Sequence, residues 1–198
     1  MADMLPVGSL DTRASGWWAM IFTIFTEASL FAYLLFSYYY LAVQPHAPGT
    51  FPEGGPPPLG VASINTAILL ASSVTVGWAQ FGIEHNRKGR LVWGLGAGAV
   101  LGVIFLAIQI MEWSHQSFGL SSTPYSSLYY VITGFHMAHV VVGVLMLLAL
   151  TFWSWQGLFN SRRFAHIHIG ALYWHFVDAV WLAVFFTFYV TPLIGLKA

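Results

Sequence analysis

Long apolar segments alternate with short polar segments along the whole chain. Five of the apolar segments reach the length of about 20 residues that a helix needs to cross the hydrocarbon core of a bilayer. They predict transmembrane helices over residues 14–43, 60–83, 91–115, 127–155 and 169–193. The pattern therefore predicts an all-α fold, an integral membrane bundle of five transmembrane helices that forms a single membrane domain over residues 1–198.

The connections between these segments are rich in residues that interrupt helices. The longest, from Pro45 to Pro58, reads PHAPGTFPEGGPPP, and proline suits neither the interior of a helix nor that of a sheet. The next, from Glu84 to Arg90, is a short polar turn. The sequence shows no second domain and no sustained internal repeat.

Composition supports a membrane protein and excludes an ordinary soluble domain. Hydrophobic residues make up 58% of the chain and charged residues 7%, whereas a soluble domain is about a quarter charged. There is no cysteine, which excludes disulfides and thiolate metal sites. The formal net charge is zero, so nothing indicates a nucleic-acid partner.

The basic residues predict the orientation of the bundle in the membrane. With five spans, all but one of them fall on the side where the chain begins, and Lys197 is the exception. Because Lys and Arg stay on the cytoplasmic side of a membrane, the N-terminus should be inside and the C-terminus outside. The residues on the inner side are Arg13, Arg87, Lys88, Arg90, Arg162 and Arg163.

Three acidic residues, Glu27, Glu112 and Asp178, fall inside predicted spans. A charge at the centre of a bilayer costs about 3 kcal/mol on insertion scales, so such residues usually face the bundle interior and need a partner. No Lys or Arg lies deep enough to pair with them, whereas His136 and His139 fall at a depth similar to that of Glu27. We therefore expect Glu27 to hydrogen-bond one of these two histidines.

Two interpretations of this polar cluster are possible. In the first, the side chains hold helices together through interhelical hydrogen bonds. In the second, the buried carboxyl group is a proton-linked site. Haem ligation would need histidine pairs on facing helices at two depths, and His136, His139 and His175 do not form two clean pairs. The sequence predicts no metal site and no catalytic residue in this chain.

Small residues indicate a close helix contact on the third span. Gly94, Gly98 and Gly102 recur every four residues and form a ridge that lets another helix, a lipid or a partner subunit approach closely. Asn65 on the second span is expected to make packing hydrogen bonds, and Glu112 lies near the outer end of the third span. His166 and His168 are expected to form a polar cluster at the inner boundary.

Five segments in order resemble the signatures of cytochrome c oxidase subunit III. The first, WWAMIFTIFTEASLFAYLLFSYYY, is similar to the glutamate-bearing helix of that family, and INTAILLASSVTVGWA is similar to its next helix. TGFHMAHVVVG resembles its TGFHGxH segment, and YWHFVDAVW its last helix. The resemblance covers nearly the whole chain; its segments are Trp17–Tyr40, Ile64–Ala79, Gln109–Trp113, Thr133–Gly143 and Tyr173–Trp181.

The resemblance implies an accessory subunit of a proton-pumping haem-copper terminal oxidase in aerobic respiration, in a bacterial plasma membrane. Such a subunit carries no cofactor; haem and copper belong to partner subunits I and II. It stabilises subunit I, binds phospholipid and supports proton uptake, while cytochrome c delivers electrons to the complex. The family signature positions here are Glu27, Glu112, His136, His139, His175 and Asp178, with structural or proton-environment roles.

Several alternatives stay open at the level of sequence. Within the family, the chain could be subunit III of a quinol oxidase, and a related possibility is the accessory protein of a nitric oxide reductase. A proton-coupled transporter would be a different class, for which we expect broken helices or repeat symmetry. Longer family members have seven spans, so this chain corresponds to their last five. His168 stands where many members have a glutamate.

Overall fold

The computed structural model describes residues 15–45, 51, 58–85, 87–116, 118–159 and 164–193. Five of its helices are long and apolar enough to cross a membrane, which confirms the prediction of an all-α bundle of five spans. In chain order they are α1 (Ser15–Ala42), α2 (Leu59–Glu84), α3 (Lys88–Ser114), α4 (Pro124–Trp155) and α5 (Ala165–Phe185), and a π-helical turn, Phe186–Val190, continues α5.

The orientation of the bundle in the membrane stays a prediction. Four of the basic residues on which it rests, Arg13, Arg162, Arg163 and Lys197, lie outside the described residues. Below, the N-terminal side is the end of the bundle where α1 begins, and the C-terminal side is the opposite end. The positive-inside rule predicts that the C-terminal side faces outward.

Three helices, α3, α4 and α5, begin three or four residues earlier than hydropathy predicts, because polar residues lie in their first turns. Helix α5 begins at Ala165 and not at residue 169. Helix α4 begins at Pro124 and not at residue 127, since Thr123 and Ser126 form a capping box and proline is well placed in a first turn. Helix α3 begins at Lys88 and not at residue 91, and its first turn contains Lys and Arg, which are good helix formers.

Helix α5 lies at the centre of the helix contacts. It touches α1, α2 and α4, while α3 packs between α2 and α4. Two tryptophans of α5 donate hydrogen bonds to hydroxyl groups of α2: Trp174 to Ser72 at 3.0 Å and Trp181 to Thr66 at 2.9 Å. Because their partners are buried in the same seam, these bonds set the rotation of α5 relative to α2.

The glycine ridge of α3 is occupied by the chain's own helices. A Cβ atom added to Gly94 would lie 2.7 Å from the carbonyl oxygen of Thr75 on α2, and one added to Gly102 would lie 2.7 Å from the ring of Trp174 on α5. Gly98 faces α2 in the same way. The ridge therefore serves packing inside the bundle, which leaves no room along it for a lipid or a helix of another subunit.

Helix α1 lies at the edge of the bundle. It contacts α4 and α5, and of its residues only Phe31 and Tyr38 are fully buried. At its C-terminal end, the hydroxyl groups of Tyr39 and Thr187 form a hydrogen bond of 3.1 Å to the π-turn. With so little buried surface, α1 is held to the bundle by few apolar contacts, and this hydrogen bond is one of its polar ones.

Candidate functional site

A hydrogen bond joins Glu27 on α1 to His139 on α4. Nε2 of His139 lies 3.0 Å from Oε2 of Glu27, so of the two histidines expected as partners the structure selects His139. The ring of Phe31, one turn further along α1, packs edge-on against His139 at 5.1 Å between centroids. The pair thus bridges the seam between α1 and α4 within the predicted membrane core.

The second ring nitrogen of His139 determines where the protons of this pair lie. Nδ1 is 2.6 Å from the carbonyl oxygen of Phe135, and a carbonyl oxygen can only accept a hydrogen bond. Nδ1 therefore carries a hydrogen. The bond between Nε2 and Glu27 then contains one further proton, either on the carboxyl group or on the ring. In both cases one proton is shared between the two side chains.

The pair lies at the surface of the bundle and not at its centre. The side chain of Glu27 is 32% exposed and that of His139 is 15% exposed. The hydroxyl group of Tyr173 on α5 donates a long hydrogen bond, 3.4 Å, to the carbonyl oxygen of His139. A group that binds beside α1 and α4 could therefore reach the pair without entering the core.

His136 is turned away from Glu27. Its side chain is fully buried, and its ring packs against Trp181 at 5.0 Å and Phe105 at 5.9 Å between centroids. Within the described part of the chain, neither of its ring nitrogens has a hydrogen-bond partner. His136 and His139 are three residues apart and thus about 60° apart around the helix axis, which is enough to place one ring in the core and the other at the seam.

Asp178 and His175 lie on the face of α5 that meets α2. Nδ1 of His175 is 2.6 Å from the hydroxyl oxygen of Ser73. The carboxyl group of Asp178 is buried and makes no hydrogen bond of good geometry among the residues described, although the hydroxyl group of Ser73 lies close enough to interact with it. The structure therefore does not pair Asp178 with a histidine, and the two acidic residues Glu27 and Asp178 are in separate seams.

A second polar group lies between α2 and α3. Nδ2 of Asn65 donates to the carbonyl oxygen of Phe105 and to Oε1 of Gln109, both at 3.4 Å, and the side chains of Asn65 and Gln109 are fully buried. This arrangement joins two helices through side-chain amides, which is the packing function expected of Asn65.

Glu112 lies near the C-terminal end of α3 and is held by the π-turn. The hydroxyl group of Tyr189 donates to Oε1 of Glu112 at 2.5 Å. The hydroxyl group of Tyr129 on α4 is 3.5 Å from that of Tyr189 and, because Tyr189 already donates to Glu112, must be the donor. Sequence reasoning missed Tyr189, since its direction depends on a π-helical turn that hydropathy does not reveal.

The histidines do not converge on a metal site. Within the described ranges, no group of three or more His, Asp or Glu side chains could hold a metal ion. His168 lies 3.4 Å from Glu84 and joins α5 to α2 at the N-terminal side, whereas His166 packs against Phe159. These described contacts of the histidines join helices to one another.

The family model and the related proteins that this chain resembles all carry the same family name. The family description "Cytochrome c oxidase subunit III" matches residues 12–192. "Cytochrome c oxidase subunit 3" of Petromyzon marinus is 37% identical over 177 residues, which cover 87% of this chain and 68% of that protein. The protein of the same name from Coturnix japonica is 35% identical with the same coverage. "Probable cytochrome c oxidase subunit 3" of Rickettsia bellii (strain RML369-C) is 38% identical over 135 residues, 67% of this chain and 49% of that protein.

Proposed function

Because the chain belongs to the cytochrome c oxidase subunit III family, we propose that it acts as an accessory subunit of a proton-pumping haem-copper terminal oxidase. In this proposal the chain has no redox centre and no catalytic residue of its own. Haem and copper lie in subunits I and II, and the chain stabilises subunit I in the membrane. Electrons reach the complex from cytochrome c.

The observation that carries this proposal is the Glu27–His139 pair. It shares one proton between two ionisable side chains, lies within the predicted membrane core, and is partly exposed at the seam between α1 and α4. A subunit that only filled space would not need an ionisable pair there, since burying one is costly. We infer that the pair holds protons for a neighbouring subunit and so supports proton uptake during sustained turnover.

The edge position of α1 suggests where partners lie. Its outward face presents large apolar side chains, including Phe22, Phe25 and Phe36, each more than half exposed. Phospholipid or another subunit would cover this face in the assembled complex. We propose a bacterial plasma membrane as the location, for which the similarity to the Rickettsia bellii protein gives support.

The helix geometry gives less support to a transporter. A proton-coupled transporter usually has helices that break near the middle of the membrane. The helices α1 to α4 run without a break over the described residues, and the π-turn lies at the end of α5. We therefore retain the oxidase subunit as the proposed function.

The experiment that tests this proposal is purification of the tagged chain from native membranes in mild detergent. We expect the chain to elute with two larger subunits and with haem absorption bands, and the complex to oxidise reduced cytochrome c. Oxidation of quinol but not of cytochrome c would favour a quinol oxidase. A chain that elutes alone and colourless would contradict the proposed assembly.

A further inference from the structure

Two polar side chains of α5 face one hydroxyl group of α2. His175 and Asp178 are three residues apart, so they lie on the same face of α5. That face meets Ser73 of α2, whose hydroxyl oxygen is 2.6 Å from Nδ1 of His175. The same hydroxyl group lies close enough to the carboxyl group of Asp178 to interact with it. The three side chains, here called the Ser73 cluster, therefore cross the α2–α5 seam with the hydroxyl group in the middle.

The Ser73 cluster lies deep in the predicted membrane core. Ser73 is about 16 Å along α2 from the end of that helix, and Asp178 is about 20 Å along α5 from its start. The basic side chains that the structure describes lie near the turn between α2 and α3; they are Arg87, Lys88 and Arg90. An ionised carboxyl group buried without a partner is costly, so Asp178 keeps its proton unless a neighbour accepts it.

The single hydrogen of the Ser73 hydroxyl group links the protonation of its two neighbours. A hydroxyl group donates one hydrogen bond, and its oxygen can also accept. When Ser73 donates to Nδ1 of His175, its oxygen can accept from the protonated carboxyl group of Asp178. When Nδ1 carries a hydrogen and donates to Ser73, the hydroxyl group turns and donates to Asp178 instead. The ring and the carboxyl group thus affect each other without a direct bond.

The ring of His175 is the end of the cluster at which a proton can enter. Each carboxyl oxygen of Asp178 has less than 1 Å² of accessible surface, so a donor outside the bundle does not reach it directly. His175 is partly exposed. Because its Nδ1 faces Ser73, Nε2 is the ring nitrogen that is left for an outside partner, and a proton from outside meets Nε2 first.

The other groups that could titrate together with the cluster have contacts elsewhere. Helix α5 packs against α1, α2 and α4. The acidic and histidine side chains described on these helices and at their ends meet other partners: Glu27 bonds His139, His136 packs against Trp181, Glu84 lies beside His168, and His85 bonds the carbonyl oxygen of Phe81. A response of Asp178 to pH is therefore expected to come through Ser73 and His175.

We propose that the Ser73 cluster is a proton relay, in which Ser73 couples the buried carboxyl group of Asp178 to the ring of His175. In the transfer, the O–H bond of Asp178 breaks, its electron pair stays on the carboxylate, and the proton bonds the oxygen of Ser73. The original O–H bond of Ser73 breaks at the same time, and that proton forms an N–H bond at Nδ1. The neutral carboxyl group and imidazole thereby become a carboxylate and an imidazolium, and the proton has moved from the core toward the edge of the seam.

This relay goes beyond the proposed function and is separate from the Glu27–His139 pair. It involves α2 and α5 alone, so it holds for whichever electron donor the complex accepts. Its test reads the carboxyl group directly and does not use turnover, whereas the proposed function is tested by assembly and by haem bands. Failure of one is therefore distinguishable from failure of the other.

The test is infrared difference spectroscopy of the assembled complex between two pH values, with the band of Asp178 identified as the one that Asp178→Asn lacks. Protonation of His175 reverses the hydrogen bonds of Ser73, so we expect the band to change its position with a midpoint between about pH 5 and 8, where histidine titrates. An isolated carboxyl group would instead gain intensity on acidification and keep its position. That result, or a band that does not respond to pH, would overturn the proposal.

Variants of Ser73 and His175 assign the shift to the relay. We expect Ser73→Ala to lose most of the shift and Ser73→Thr, which keeps the hydroxyl group, to retain it. The matched control Thr75→Val removes a hydroxyl group of α2 that bonds only its own helix among the described contacts, and should also retain the shift. Should Ser73→Ala fail to assemble, His175→Gln keeps a side chain that can bond Ser73 but does not titrate, and it should lose the shift. A full shift in Ser73→Ala or in His175→Gln would show that Asp178 titrates without the relay.

Discussion

The ring of His139 on α4 is held at both nitrogens, by the carboxyl group of Glu27 on α1 at 3.0 Å and by the carbonyl oxygen of Phe135 at 2.6 Å. The first bond is one of the few polar contacts that fasten α1 to the bundle. The second fixes the tautomer and so leaves a single proton shared between the two side chains. The structural and the proton-linked interpretations of Glu27 therefore apply to the same bond, and mutations have to separate them.

Glu27→Gln separates the two functions because it keeps the bond and removes the acid. The amide nitrogen of glutamine can donate to Nε2 of His139, while Nδ1 continues to donate to Phe135. We expect the variant to assemble with a change in helix association below about 0.6 kcal/mol, the average value of an interhelical hydrogen bond. Steady-state oxygen consumption by the complex should fall severalfold.

The infrared spectrum gives a check on Glu27→Gln that is independent of activity. The spectrum of the wild type minus that of the variant should contain the carboxyl or carboxylate band of Glu27, and a protonated carboxyl band should shift in D₂O, since the pair is partly exposed. Normal turnover in a fully assembled Glu27→Gln complex would leave the pair with a packing function alone.

A double-mutant cycle measures how strongly the pair fastens α1. His139→Phe removes both ring nitrogens and leaves the carboxyl group of Glu27 without its partner, which should cost about 1–3 kcal/mol in stability. Adding Glu27→Leu should restore part of that loss, since two apolar side chains leave no unsatisfied polar group. The measurement is thermal unfolding of the detergent-solubilised complex, and strictly additive losses would show that the two side chains do not interact.

Hydropathy and helix depth predict much of this arrangement but not its details. The five spans follow from apolar length alone, and the depth of Glu27 limited its partner to His136 or His139. Depth could not choose between them, because that choice depends on rotation around α4 and on which ring Trp181 and Phe105 enclose. The sequence contains the residues, and packing decides which of them meet.

The pairing of Glu112 shows a second limit of the sequence. Its partner Tyr189 lies 77 positions further along the chain and reaches the carboxyl group from a π-helical turn. In that turn the N–H group of Thr191 bonds the carbonyl oxygen of Phe186, five residues back, which changes the direction of each side chain in the turn. A regular α-helical periodicity would therefore point the side chain of Tyr189 in the wrong direction around the helix axis.

The glycine ridge of α3 gives a test of packing inside the bundle. Gly102→Ala would place a methyl group 2.7 Å from both Trp174 and Val144, two large neighbours from different helices. We expect a loss of about 1–3 kcal/mol from overpacking, measured as a lower midpoint of thermal unfolding. The matched control is Gly77→Ala on α2, where no atom lies within 4 Å of the added group; this variant should be neutral or slightly stabilised. Equal effects of the two substitutions would mean that Gly102 does not contact Trp174 and Val144.

Tyr189→Phe tests whether the π-turn supports Glu112. The substitution preserves the ring, which packs against Phe185, and removes the hydroxyl group. Oε1 of Glu112 then loses its described partner, and Oε2 has none to begin with. We expect a loss of about 1–3 kcal/mol in stability, the cost of an unsatisfied buried group. The control Tyr39→Phe removes a hydroxyl group whose partner, Thr187, still donates to the carbonyl oxygen of Ala183, and should cost less. A larger loss in Tyr39→Phe would place the important contact of this turn at α1 and not at Glu112.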